Sequence, residues 1–140
     1  MVDHEVFRSR LAKLEEYLAR LEELARRARA EVLGNAGLMA QVERWMHLAV
    51  ESAIDLAQHL ISSRGWRTPT TNREAFRILR EEKVLPSRLA EQMEDWAGLR
   101  NVLVHLYLEI DHQLLWTALT EELSQLRDFA AAVAKILDED

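Results

Sequence analysis

The sequence of 140 residues contains no cysteine and few residues that interrupt helices. The absence of cysteine excludes disulfides, thiolate metal ligands and a cysteine nucleophile, and it is compatible with a reducing compartment. Only four glycines and two prolines are present, which favours long uninterrupted helices. No apolar run approaches the length of about 18 residues that spans a bilayer, and residues 1–10 lack the apolar core of a signal peptide. We therefore expect a cytoplasmic protein that makes no membrane contact.

The composition indicates a folded chain with an uneven charge distribution. Apolar residues make up 49% of the chain and charged residues 30%, which argues against disorder. The net charge of −6 argues against a general nucleic-acid-binding protein, whose affinity comes mainly from phosphate neutralisation. Residues 64–104, however, hold eight Lys/Arg and six Asp/Glu. A solvated helix face explains this basic segment, and a phosphate-binding surface is the alternative.

Apolar residues recur at steps of three and four along most of the chain, which is the pattern of amphipathic helices. We predict an all-α, up-and-down bundle of four long helices and one short helix, in one domain over residues 1–140. Asp3, Asn72 and Asp111 are the predicted N-caps. The long helices are predicted at about 3–33, at 38–63, from 86 into the segment 98–107 and from 111 onward, and the short helix at 73–82.

The segment GLRNVLVHLY at 98–107 sets four polar residues in an apolar helix. The inward stripe of this helix runs through Met93 and Trp96, and the same spacing next reaches Arg100. A polar residue that breaks a local pattern without a structural gain is typical of a functional site. Gly98 costs about 1 kcal/mol relative to alanine inside a helix. The close approach of another helix would explain its presence, and a glycine that is merely tolerated is the alternative.

Residues 100–107 have the form R-N-x-x-x-H-x-Y, which resembles the signature of the HepT-like toxin branch of the HEPN superfamily. The similarity extends to the flanking segments in the same order and covers about residues 38–115. These segments are ESAIDLAQHLIS at 51–62, TNREAFRIL at 71–79, LPSRLAEQMEDWAGLRN at 85–101 and YLEID at 107–111. The resemblance implies a HEPN-like homodimer in which two copies of the motif meet at a cleft. It also implies metal-independent RNA cleavage, with tRNA as the family's example of a substrate and no cofactor.

The residue types of the motif suit attack of a ribose 2′-hydroxyl on the adjacent phosphate, which yields a 2′,3′-cyclic phosphate. Histidine titrates near neutral pH and can accept or donate the protons, so His105 is the predicted general acid–base. Arg100 would hold the phosphate oxygens, and Asn101 would bind the substrate or orient the imidazole. Glu51 and Asp55, one turn apart, are predicted to position Arg100 or His105 because buried carboxylates need partners. An exposed, solvated strip is the alternative interpretation of these two residues.

Tyr107 carries the regulatory implication of the resemblance. In related members, the tyrosine of this motif accepts AMP from a minimal nucleotidyltransferase that acts as the antitoxin. The resemblance therefore implies a toxin that its cognate antitoxin silences by AMPylation of Tyr107. An ordinary tyrosine at the edge of the core is the alternative interpretation.

Two classes of function remain open from the sequence. The first is the regulated ribonuclease, which the intact motif favours. The second is a non-catalytic HEPN helical module that binds a nucleotidyltransferase or a nucleotide, which the net charge of −6 favours. A di-metal site is not expected, because bundles of that kind need two Glu-x-x-His elements and only Glu109 and His112 have that spacing.

Overall fold

A computed structural model describes residues 4–139 of the chain, apart from the side chain of Tyr107. The described residues form helices and contain no strand, so the prediction of an all-α bundle is confirmed. The helices are α1 His4–Ala25, α2 Arg29–Leu33, α3 Ala36–Arg64, α4 Asn72–Glu81, α5 Ser87–His105, α6 His112–Thr117 and α7 Leu123–Glu139. A 3₁₀ turn, Tyr107–Glu109, follows α5, and a π-helical turn, Ala118–Glu122, joins α6 to α7 in one continuous helical run. None of the described helices is long and apolar enough to cross a bilayer.

The predicted first helix is interrupted, which corrects the expectation of one helix over residues 3–33. The chain leaves the helix after Ala25 and resumes it at Arg29, with Ala28 in an extended conformation. Alanine offers little apolar surface for packing, and helical stability in proteins comes mainly from such packing. The break at residues 26–28 is therefore consistent with a weak stripe, and Val32 of α2 still reaches the core. The predicted N-cap Asp3 lies outside the described residues.

Helix α3 is central and packs against α1, α4, α5 and α7. Its mostly apolar circumference accounts for this position, because a helix that is apolar on most sides must be covered on most sides. The side chain of Asn35 caps the helix by accepting a hydrogen bond from Leu38 N at 3.1 Å. Gly65 ends it in the left-handed conformation at φ 67°, which glycine adopts without a Cβ penalty.

The start of α4 differs by one residue from the prediction. Thr71, not Asn72, is the N-cap, and its hydroxyl accepts from Glu74 N at 3.1 Å. Asn72 is the first helical residue, and its Oδ1 accepts from Gln58 Nε2 of α3 at 3.1 Å. Threonine followed three residues later by glutamate is a common sequence pattern at helix starts. The predicted cap at Asp111 is confirmed, because its carboxylate accepts from the backbone N–H groups of residues 113 and 114.

Candidate functional site

The motif occupies the last two turns of α5 and the turn that follows. Leu89, Met93 and Trp96 are buried as predicted and anchor the helix in the bundle. At about 100° per residue, the side chains at positions 100 and 105 project about 140° apart. Arg100 therefore faces α3, whereas His105 is exposed on another side of the helix. Within one protomer, the two principal groups of the motif do not share a face.

Arg100 is held against α3 by Glu51. Its Nε donates a hydrogen bond to Oε1 of Glu51 in a close ion pair, and its side chain is only 23% exposed. Its Nη1 donates to Oδ1 of Asn101 at 3.3 Å. These contacts fix the plane of the guanidinium and leave Nη2 without a partner among the described residues. An arginine held in this way presents a preorganised fork to an anion.

Glu51 belongs to a row of charged side chains spaced one turn apart on α3. His47 Nε2 lies 3.7 Å from Oε1 of Glu51. One turn in the other direction, Asp55 accepts a hydrogen bond from Arg10 of α1. Of the two carboxylates predicted to position the motif, Glu51 contacts Arg100 directly, and the ion pair of Asp55 joins α3 to α1.

His47 is a residue near the motif that the sequence did not single out. With Leu103 and Ile110, it lines a pocket of about 270 Å³ beside the end of α5. The available signal was its i,i+4 spacing to Glu51 on the polar strip of the helix, since residues four apart are neighbours on a helix surface. His47 therefore brings a second imidazole close to the Glu51–Arg100 pair.

A second pocket gives Arg100 access to solvent. It has a volume of about 310 Å³, and α1, α3, α4 and α5 contribute to its wall. The wall includes Glu51 and Arg100 together with the hydrogen-bonded amides of Gln58 and Asn72. This combination of a charged pair and amide groups can contact both a phosphate and the polar edge of a base.

Gly98 is approached by a side chain of α4, whereas the sequence suggested the approach of a helix. An ideal Cβ at Gly98 would overlap the guanidinium of Arg73 and would lie 3.0 Å from its Cζ. Glycine at this position therefore makes room for Arg73 on the surface of α5.

Three leucines within or shortly after the motif in the chain are exposed. Leu106 is 48% exposed, Leu108 is 86% exposed and Leu114 of α6 is 55% exposed. Leu114 also lines an apolar pocket of about 160 Å³ together with Leu99 of α5, which lies two turns before Leu106 in the chain. We call Leu99, Leu106, Leu108 and Leu114 the apolar patch.

Tyr107 begins the 3₁₀ turn that follows α5. Its side chain lies outside the described residues, so only its backbone position is known: two residues after His105. Among the described residues, no group of three or more His, Asp or Glu side chains is arranged to hold a metal ion.

An all-α bundle that carries the Arg-x₄-His motif at the end of a long helix is the arrangement that the sequence resemblance to HEPN proteins implies. The profile of the family described as Ribonuclease HepT-like matches residues 14–133, and the chain belongs to this family. A protein named tRNA nuclease HepT from Aphanizomenon flos-aquae is 31% identical over 120 residues, which cover 86% of this chain and 82% of that protein.

Two solved structures show the same fold. One is a tri-AMPylated HEPN toxin of Shewanella oneidensis in complex with an MNT antitoxin, with a TM-score of 0.86 and 19% identity over 96% of this chain and 99% of that chain. The other is YutE from Bacillus subtilis, a cytosolic protein of unknown function, with a TM-score of 0.86 and 22% identity over 99% of this chain and 92% of that chain.

Proposed function

We propose that this protein is the toxin of a toxin–antitoxin pair and a metal-independent endoribonuclease that acts at a cleft between two protomers. The observation that carries this proposal is that the end of one helix presents an arginine fixed by a carboxylate and, five residues later, an exposed imidazole. Arg100 is half-buried and held by Glu51, whereas His105 is exposed. The chain is also similar to a protein named tRNA nuclease HepT, and we propose RNA, with tRNA as the first candidate, as the substrate.

The proposed reaction is an internal transesterification. The 2′-oxygen forms a bond to phosphorus as its proton passes to one imidazole, and the bond from phosphorus to the 5′-oxygen breaks as that oxygen receives a proton from another acid. The products are a 2′,3′-cyclic phosphate and a 5′-hydroxyl. Arg100 stabilises the charge that develops on the phosphate oxygens, and Asn101 donates to the substrate or orients the imidazole. Arginine and histidine thus supply charge stabilisation and proton transfer without a metal.

A homodimer completes this site. A two-fold axis near the motif relates two such sites, and one His105 can serve each of them as the general base or the general acid. The same axis can bring the Arg100 of one protomer towards the His105 of its partner, although the two side chains diverge within one chain. The apolar patch supports a protein interface here, since exposed apolar surface rimmed by polar residues commonly marks one.

Tyr107 is the proposed target of a cognate minimal nucleotidyltransferase antitoxin that adds AMP to its hydroxyl. Its backbone position two residues after His105 supports this proposal, as does the AMPylated Shewanella oneidensis toxin with the same fold. A bulky anionic adduct at this position would fill the cleft and repel RNA. Treatment with the antitoxin and ATP should add the mass of one or more AMP groups, and Tyr107→Phe should abolish this gain.

A second candidate is a non-catalytic helical module that binds a nucleotidyltransferase or a nucleotide. The net charge of −6 and the neutralisation of Arg100 by Glu51 favour it.

An RNA cleavage assay separates the two candidates. The purified, unmodified protein is incubated with tRNA in EDTA, beside Arg100→Ala, His105→Ala and the control His112→Ala, whose imidazole lies 3.6 Å from Glu43 and outside the motif. The ribonuclease proposal expects cleavage by the wild type and the control, products that end in a cyclic phosphate, and no cleavage by the other two variants. Absence of cleavage by an unmodified dimer supports the binding module instead.

A further inference from the structure

The guanidinium of Arg73 extends from α4 over Gly98 of α5, on the side of the helix that carries His105. Positions 98 and 105 are seven residues apart, so they project within about 20° of each other and lie about 10 Å apart along the axis. Asn101 lies between them in height and within about 60° of both. Arg73 thus adds a positive charge to the face that bears the imidazole, whereas Arg100 of the same chain projects away from that face.

Gly98 is required for this placement. The overlap of an ideal Cβ with the guanidinium of Arg73 means that any larger residue would force the arginine to move. Glycine destabilises a helix interior relative to alanine, so its use in α5 needs a reason. Space for a side chain from α4 supplies that reason.

The charge of Arg73 is available to a ligand, in contrast to those of two neighbouring arginines. Arg77, one turn later on α4, donates to Oε1 of Glu94 at 2.7 Å. Arg67 pairs with Glu81 at 2.9 Å. Arg73 is exposed and has neither a carboxylate partner nor a hydrogen bond among the described residues. It is therefore a cation held beside the motif without an internal partner.

We propose that Arg73 binds an RNA phosphate next to the one that is cleaved. This assignment rests on the proposed ribonuclease function and deepens it, because it identifies a substrate-binding residue outside the motif. An arginine fork suits two oxygens of one phosphate. Arg73 contacts the strand beside the reacting bond and leaves the reacting phosphate itself to Arg100 and His105. The charge distribution left a phosphate-binding surface as the alternative interpretation of residues 64–104. Arg73 is the residue of this segment to which we assign the phosphate contact.

Arg80 provides a matched control, because it is an exposed arginine on the same helix, two turns farther along α4. Binding of a labelled single-stranded RNA is measured by anisotropy over a range of KCl concentrations, in a His105→Ala background that prevents cleavage. Arg73→Gln should weaken binding about five- to ten-fold and reduce the slope of log K against log salt by about 0.7, as expected for one lost phosphate contact. Arg80→Gln should leave the slope unchanged.

Kinetics and a second variant exclude a merely structural role. In the active protein, Arg73→Gln should raise KM with little change in kcat, because it removes binding common to substrate and transition state. Gly98→Ala displaces the guanidinium while favouring the helix, so it should weaken RNA binding without lowering Tm. In the double variant the two losses should not add, since both remove the same contact.

The outcomes distinguish this assignment from the function on which it rests. If the wild type cleaves RNA but Arg73→Gln and Arg80→Gln share its KM and its salt slope, the assignment to Arg73 is wrong and the ribonuclease proposal stands. If the wild type neither cleaves nor binds RNA, the proposed function is wrong and the assignment fails with it.

Discussion

Glu51 of α3 and Arg100 of α5 form a close ion pair at the point where the two helices meet beside the motif. Both side chains are partly exposed, at 39% for the carboxylate and 23% for the guanidinium. A pair this accessible contributes little to folding stability. Its main effect is to fix the direction of the Arg100 side chain. Without a partner, this long and flexible side chain would not keep one direction.

Replacement of Glu51 by glutamine should therefore impair catalysis more than stability. We expect kcat for RNA cleavage to fall between about 10- and 100-fold, because a small misplacement of a phosphate-binding group has effects of this size. KM should stay the same or fall, since the variant removes a negative charge from the site. Steady-state kinetics and thermal unfolding measure the two effects separately.

Glu43→Gln is the matched control, because Glu43 precedes His47 by one turn in the same row on α3. Its carboxylate lies 3.6 Å from the imidazole of His112, and Arg100 is paired with Glu51. It should retain the wild-type kcat. Equal losses in the two variants would show that general loss of negative charge on α3, and not the direction of Arg100, determines the rate.

Mixing two inactive variants tests whether the cleft is shared. If Arg100 of one protomer acts with His105 of its partner, Arg100→Ala and His105→Ala should complement each other after subunit exchange. Half of the dimers are then mixed and each has one intact pair, so about a quarter of the wild-type activity should return. Activity is measured after the mixture has been partly denatured and refolded together.

A mixture that stays inactive would mean that both groups act from the same chain.

Leu106→Asp tests the dimer interface itself. A charge on the apolar patch should shift the protein to a monomer, as measured by light scattering, and should abolish cleavage. Val6→Asp is the control, because Val6 is an exposed apolar residue on α1 and outside the apolar patch. It should leave the dimer intact.

Periodicity predicted most of the helices because burial of an apolar stripe determines where a helix is stable. It also identified Arg100 as an exception, and the structure gives that arginine a partner on α3. The break after Ala25 was missed because alanine extends an apolar pattern without the packing that would hold it. The contacts Asp55–Arg10 and Arg73–Gly98 were missed for a different reason. Each depends on how two helices are rotated and crossed, and the pattern within one helix carries no information on that.

The end of α4 offers a prediction on stability. Val84 N donates to Leu79 O at 2.8 Å and Lys83 N to Arg80 O at 3.0 Å, which is the arrangement of a Schellman motif. Lys83 occupies the left-handed position at φ 63°, where a side chain costs about 1 kcal/mol or more. Lys83→Gly should therefore raise the free energy of unfolding by about 1 kcal/mol, measured by urea denaturation.

Gly65 serves as the reciprocal test of this explanation. It ends α3 with a comparable φ of 67°, and an added Cβ would meet no atom within 4 Å. Gly65→Ala should thus destabilise the protein by about 1 kcal/mol through backbone strain alone. A stabilising Gly65→Ala, or a destabilising Lys83→Gly, would contradict the explanation.

The ion pair between Glu22 of α1 and Arg127 of α7 predicts how stability changes with pH. Two hydrogen bonds, of 2.9 and 2.6 Å, join the guanidinium to the carboxylate. These bonds, with the charges of Arg127 and Arg26, hold the pKa of Glu22 below its usual range. A carboxyl group with a lowered pKa in the folded state stabilises the fold above its unfolded pKa, and this contribution disappears as the pH falls through the folded value.

Glu22→Gln should therefore lower the free energy of unfolding at pH 7, and its difference from the wild type should shrink as the pH falls below the usual glutamate pKa of about 4.3. Because both side chains are more than a third exposed, we expect the loss at pH 7 to stay below about 1 kcal/mol. Glu23→Gln removes the same charge from the exposed neighbouring position and controls for net charge. Urea denaturation of the three proteins between pH 3 and pH 8 measures the effect. A difference between wild type and Glu22→Gln that is constant over this range would show that the loss comes from packing and not from the ionised pair.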